Sequence, residues 1–243
     1  MHIVLGGDIL IVLYIRKKQL LYFLFGLLLL IVLLFAFNQF SRSDEMPVVN
    51  PIYIGNTADK AVALMVNVDW GEDVLPEMLK VFKEKETKAT FFITGRFAKK
   101  FPEIVKIIAD AGHEIGNHGY SHPHPDKISL EKNMKEITDT EQVFKELNIN
   151  YSMIYAPPYG EHKEHVLDAA ESLGYKTIMW TADTIDWQEP TPEQIIKRVT
   201  SKADNGVLVL MHPKKCTVEA LPSLIAGLHQ ENYLLKTITE IIQ

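Results

Sequence analysis

Residues 19–41 carry no charge, and residues 20–37 are almost entirely Leu, Phe, Ile and Val. A core helix of a globular protein rarely runs this long without a charge, whereas one bilayer-crossing helix needs about 20 apolar residues. The stretch is read as a transmembrane helix. Residues 1–15 are apolar too, but Gly6, Gly7 and Asp8 interrupt them and they are too short to span. Arg16-Lys17-Lys18 precedes the helix. Basic flanks stay on the cytoplasmic side. Residues 1–18 are therefore expected in the cytoplasm, with the rest of a single-pass cell-membrane protein outside. The rival is a cleaved signal peptide. Leu34-Phe35-Ala36-Phe37-Asn38 offers no small-x-small site, so a retained anchor is expected.

Polar residues with Pro47 and Pro51 follow, and residues 42–58 read as a linker before a folded domain over 59–243. The chain carries −6 overall, although Arg16, Lys17, Lys18 and Arg42 face only Asp8 before Ser43. The exported part is thus distinctly acidic, which argues against nucleic acid as a partner. Cys216 is the one cysteine, so no internal disulfide framework exists. The chain shows no repeat and no low-complexity tract, and it leaves the oligomeric state open.

Within the domain, strand-like runs at 61–68, 89–94, 113–116, 151–156, 176–181, 207–211 and 233–235 alternate with helical patterns at 75–86, 96–111, 130–147, 163–173, 192–202 and 218–230. Thr191-Pro192-Glu193-Gln194 is a helix start with a capping box. Gly112 and Gly174 sit where helices end. Alternation of this kind predicts a parallel sheet. About seven such units suggest a distorted (β/α) barrel.

Chemistry in parallel α/β folds collects at the C-terminal ends of strands. His118 and His122 are four apart, a spacing that lets two imidazoles face one metal ion. They follow the third strand-like run. Asn67-Val68-Asp69-Trp70-Gly71 ends the first, Ala156-Pro157-Pro158-Tyr159-Gly160 the fourth, Asp183-Thr184-Ile185-Asp186-Trp187 the fifth and Leu210-Met211-His212-Pro213 the sixth. Each cluster alone has a plain structural reading, as a turn aspartate, a rigid Pro-Pro loop or a satisfied core histidine. Five at one edge point to a site. His162 and His165, three apart in a polar loop, are read as surface residues.

With those five clusters in that order, residues 60–243 resemble the polysaccharide deacetylases of carbohydrate esterase family four, which share the NodB homology domain. The anchor plus a short domain is similar to the sporulation-type subgroup. The resemblance implies a hydrolase that removes N-acetyl groups from amino sugars of a cell-wall polysaccharide, peptidoglycan first, with a divalent metal. Zn²⁺ is the leading ion, with Co²⁺ or Ni²⁺ as alternatives. It implies Asp69, His118 and His122 as metal ligands, and His212 as general acid oriented by Asp186. The backbone N–H of Tyr159 is the oxyanion donor, Pro158 shapes its loop, and Trp187 and Leu210 wall the substrate site.

The sequence also departs from the family pattern. The first motif usually reads T-F-D-D-G, whose first aspartate is the general base. Here the aligned position is Asn67, and an amide cannot take a proton from water. The third motif usually opens with an arginine that pairs with that aspartate. Here it is Ala156. A buried guanidinium without its carboxylate would be costly, so the two losses are consistent. Gly119 stands where a serine or threonine normally braces the histidine loop. Two readings follow: a hydrolase in which Asp69, Glu72 or Asp73, or the metal alone, activates water; or a relative that binds glycan or metal without turnover.

Overall fold

The computed structural model describes residues 16–41 and 50–242, with side chains of 36–41 left aside. Most of the expected cytoplasmic segment and the first half of the linker lie outside the described residues. The chain divides into two units, Met1–Val48 and Val49–Gln243. In the first, helix α1 (Lys17–Ser41) has a 19-residue stretch, Lys17–Phe35, of mean hydropathy 2.3 and no buried residues. By length and composition it can cross a membrane.

The second unit is a curled α/β barrel built on parallel strands. Its strands are β1 (Ala61–Val68), β2 (Thr90–Ile93), β3 (Glu114–Asn117), β4 (Ile154–Tyr155), β5 (Lys176–Thr177), β6 (Ala182–Asp183), β7 (Leu208–Met211) and β8 (Leu234–Lys236). The helices are α2 (Leu75–Glu84), α3 (Gly95–Lys100), α4 (Pro102–Asp110), α5 (Leu130–Glu146), α6 (Glu164–Ser172), α7 (Pro192–Thr200), α8 (Lys215–Gln230) and α9 (Ile238–Ile241). Seven strands run in the order β5-β4-β3-β2-β1-β7-β6, and β8 joins beside the start of β1. Every pairing between these strands is parallel. Each of the seven expected runs forms strand, and the division of one of them into β5 and β6 makes eight.

β1 shows how the sequence sets the layers. All eight of its residues are buried, as expected for a parallel strand covered on both faces. Val62, Leu64, Val66 and Val68 pack outward into the cluster that includes the helices. Ala61, Ala63 and Met65 point into the barrel with Phe92, Leu208 and Leu210. Strand period two then carries Asn67 onto the interior face at the C-terminal end. The same alternation on β7 carries His212 after Leu208 and Leu210.

Two elements differ from the periodicity. The run expected as one strand over 176–181 splits into β5 and β6, at opposite ends of the sheet order. Residues between them cross the gap in the barrel, where Ile52 bridges Ile178 and Met179 N–H donates to Ile52 O at 2.8 Å. The helix expected over 96–111 breaks at Phe101 (φ −128°, ψ 56°). Pro102 follows it, and the residue before proline is disfavoured in the helical region. The Thr191 capping box of α7 is present as read.

At the opposite end from the candidate site, His113 is buried between Phe82 and Phe91, and its Nδ1 accepts from Ala89 N–H at 3.2 Å. Burial, reinforced by the charge of Lys88, pushes its pKa down to about 4. The unfolded chain takes up this proton near pH 6.5, the folded chain only near 4. Stability is therefore full above pH 6.5 and falls between about 6.5 and 4. The share of this one histidine is about 1.4 kcal/mol per pH unit over that window, read as the difference in urea denaturation between the wild-type chain and His113→Phe, and the other buried histidines add to the total. A difference flat from pH 7 to 4.5 would contradict it.

Candidate active site

A cavity of about 500 Å³ opens at the C-terminal edge of the sheet. Asn67, Asp69, His118, His122, Tyr159 and His212 line it, with Trp70, Trp187 and Leu210 as walls. Residues from β1, β3, β4, β6 and β7 and the loops after them thus converge. Pro158 lies buried in the turn that carries Tyr159. Tyr159 itself takes a left-handed conformation (φ 59°, ψ 3°), a strained state for a residue with a Cβ. Its ring is stacked on His124 at 4.1 Å and meets His122 edge-on at 4.7 Å.

The best-formed polar unit joins the ends of β6 and β7. Asp186 is completely buried. It accepts from His212 Nδ1 at 2.8 Å, from His212 N–H at 2.6 Å and from Thr217 Oγ1 at 2.7 Å. Burial works to raise its pKa, but the bonds from His212 and Thr217 outweigh burial and hold it below the usual carboxylate range. A carboxylate can only accept, so Nδ1 of His212 carries a proton and Nε2 is the nitrogen left for a ligand. Trp70 lies nearly parallel to the His212 ring at 6.1 Å.

The two loop histidines are held differently. His118 donates from Nδ1 to Ala156 O at 2.6 Å, which leaves its Nε2 lone pair free. Burial, then the charge of His122, pushes its pKa down to about 3. Burial lowers that of His122 as well. Both rings are neutral near pH 7, and their centroids are 5.0 Å apart. Gly119 between them has φ 75°, a conformation that favours glycine over serine or threonine. The brace comes instead from neighbours. Asn117 Oδ1 accepts from Gly119 N–H, and Glu136 of α5 accepts from Tyr120 N–H, Ser121 N–H and Ser121 Oγ.

Asp69 lines the cavity, but its carboxylate is already engaged. Oδ1 accepts from Thr94 Oγ1 at 2.9 Å and from Arg96 Nε at 2.6 Å, and Oδ2 pairs with the other arm of Arg96. Arg96 is the residue sequence reasoning missed. Asn67 is buried, and its Oδ1 has no protein partner among the described residues. Glu72 and Asp73 line a separate surface hollow with Lys215 and Glu219, not this cavity. The expectation that either could serve as base is therefore corrected. Asp183, passed over as a site residue, does line the cavity. Its Oδ1 accepts from Ile185 N–H at 2.7 Å. His162 bonds Tyr53 and Gly160 O, and His165 contacts Pro125 O, so the two do not form a second site.

A divalent ion fits this donor set in part. Two neutral imidazoles with free nitrogens suit it. The carboxylate is committed to a guanidinium, and among the described residues no three His, Cys, Asp or Glu side chains gather closely enough to hold an ion.

Residues 54–178 match the family model described as polysaccharide deacetylase. The chain belongs to the polysaccharide deacetylase family. It is 39% identical over 193 residues to the uncharacterized protein YlxY of Bacillus subtilis, covering 79% of this chain and 60% of YlxY. It is 29% identical over 195 residues to the peptidoglycan-N-acetylmuramic acid deacetylase PdaA of the same organism, covering 78% and 74%. The fold is similar to wild-type BA3943 of Bacillus anthracis, described as a family-four carbohydrate esterase pseudoenzyme. There the TM-score is 0.77 and the identity 37%, with 82% of this chain and 71% of that one covered. A BA3943 mutant described as having restored enzymatic activity matches with a TM-score of 0.78, 35% identity and coverage of 82% and 73%.

Glu136 ties the histidine loop to α5. Glu136→Ala should lower stability by about 1.5–3 kcal/mol, the usual loss for hydrogen bonds to a charged group. Amide exchange at Tyr120 and Ser121 should quicken with it. Unchanged exchange at both would show that the loop is held elsewhere.

Proposed function

We infer that the domain is a hydrolase that removes N-acetyl groups from amino sugars of a cell-wall glycan, and that it turns over slowly. The Asp186–His212 unit carries this reading, because it presents a proton donor to the same cavity that holds two neutral imidazoles. An amide nitrogen leaves only when protonated, and an imidazolium held by a buried carboxylate supplies that proton from Nε2. The backbone N–H of Tyr159 would face the developing oxyanion, with Pro158 fixing the turn. Trp70, Trp187 and Leu210 would face the sugar rings. A divalent ion, Zn²⁺ first, would be held by His118 and His122, with Asp69 once Arg96 releases it, and would polarise the carbonyl and acidify water. Slow turnover follows from Asn67, whose amide cannot accept the proton of the attacking water.

Peptidoglycan is the favoured substrate, supported by the name and similarity of PdaA. The anchor reading supports it too. With residues 1–18 in the cytoplasm, helix 19–41 in the membrane and a linker to 58, domain 59–243 faces the wall. A second reading, glycan binding without turnover, is favoured by Asn67, which lines the cavity with an amide where a base would be needed. The likeness to BA3943 also favours it.

Acetate release from N-acetylated peptidoglycan and from chitin oligomers separates the two. The hydrolase reading expects slow release by the wild-type chain and a further loss of about 100- to 10,000-fold in His212→Ala. Glycan retention should be kept in that variant. Retention without any acetate from the wild-type chain supports the binder.

A further inference from the structure

The Arg96 guanidinium holds the carboxylate of Asp69, a residue of the cavity lining, and the backbone that carries the arginine is tied down. It follows β2 directly, where Gly95 N–H donates to Gly119 O and Arg96 N–H to Tyr120 O, both at 3.0 Å. These bonds stitch the arginine to the loop carrying His118 and His122. Gly95 is required there, since a Cβ would lie 2.8 Å from Thr140 Oγ1 and closer still to Tyr120. Asp69 is only 9% exposed in its side chain, whereas that of Arg96 is 50% exposed. A carboxylate this buried needs a cation, and a two-armed guanidinium meets both oxygens at once.

We propose that Arg96 is an internal cation that competes with a divalent metal for Asp69, so that the chain binds such an ion weakly, through His118 and His122, until Arg96 is displaced. The carboxylate offers about four acceptor positions. Thr94 and the two arms of Arg96 occupy three of them. An ion drawn to the remaining position would meet the positive charge of the guanidinium at close range. Arg96 acts here as a positioning residue. It is half exposed and can swing outward, which makes the competition reversible. The proposal concerns the same cavity as the hydrolase reading but does not depend on turnover, because metal is measured directly.

The full chain, stripped of metal, is titrated with Co²⁺ and Zn²⁺, following the visible absorption of Co²⁺ and the heat of Zn²⁺ binding. Arg96→Ala should bind both ions about 10- to 100-fold more tightly than wild type, the factor matched to one charged hydrogen-bonding pair. Asp69→Asn added to Arg96→Ala should cancel that gain, and His118→Ala should abolish binding in either background. Arg96→Gln keeps a polar side chain without charge and should behave like Arg96→Ala. It gives the same comparison if the alanine variant does not fold. Equal affinity in the wild-type chain and both Arg96 variants would overturn the proposal. So would tight one-to-one binding by wild type that Asp69→Asn weakens. Neither outcome depends on acetate release, so a chain without turnover still tests the competition.

Discussion

Burial of β1 on both faces organises this domain. A strand covered by helices outside and by a packed interior inside can carry polar groups only where it ends. Its inward series of Ala61, Ala63 and Met65 therefore runs out at Asn67 and Asp69, on the rim of the cavity. β7 does the same with Leu208, Leu210 and His212. Because the sheet is parallel, each neighbouring strand delivers its last residues to the same rim. Side chains distant in sequence, from Asn67 to His212, thus meet without any one segment holding them all.

The two halves of that rim are built to different standards. On the acid side, Asp186 is fully buried and takes three donors from His212 and Thr217, so the orientation of the imidazole is fixed twice over. On the water side, the acceptor that hydrolysis needs is missing. Among the described residues Asn67 has no partner for its buried amide oxygen, and Asp69 is paired with Arg96. Ala156 offers no charge but uses its carbonyl to fix the tautomer of His118. The cavity holds a proton donor and a pair of metal-type ligands without a free base between them. The domain is similar both to a named peptidoglycan deacetylase and to a pseudoenzyme.

Much of this architecture is legible in the sequence. β1 is read residue for residue, because seven of its eight residues are apolar, broken only by Asn67, and leave no other periodicity. The convergence of His118, Tyr159, Asp186 and His212 follows from strand ends alone. What stays hidden has physical causes. The residues between β5 and β6 are as apolar as a strand, and only the closure of the barrel shows that they cross a gap rather than pair. The break before Pro102 is visible in principle from the restriction proline places on Phe101. Arg96 reads as a solvated charge at a helix start. Its one signal is its place just after β2, the same kind of strand end that flags the other clusters. The Glu136 brace reaches the histidine loop from a helix a dozen residues on, a contact no local pattern encodes.

The proposed slow turnover rests above all on Asn67. Acetate release from chitin oligomers, compared between wild type and Asn67→Asp, alone and with Ala156→Arg, tests this most directly. A restored general base should raise the rate by about 100-fold or more, with the double variant at least as active as the single one. No rise in either variant, with both folded and binding glycan, would contradict it.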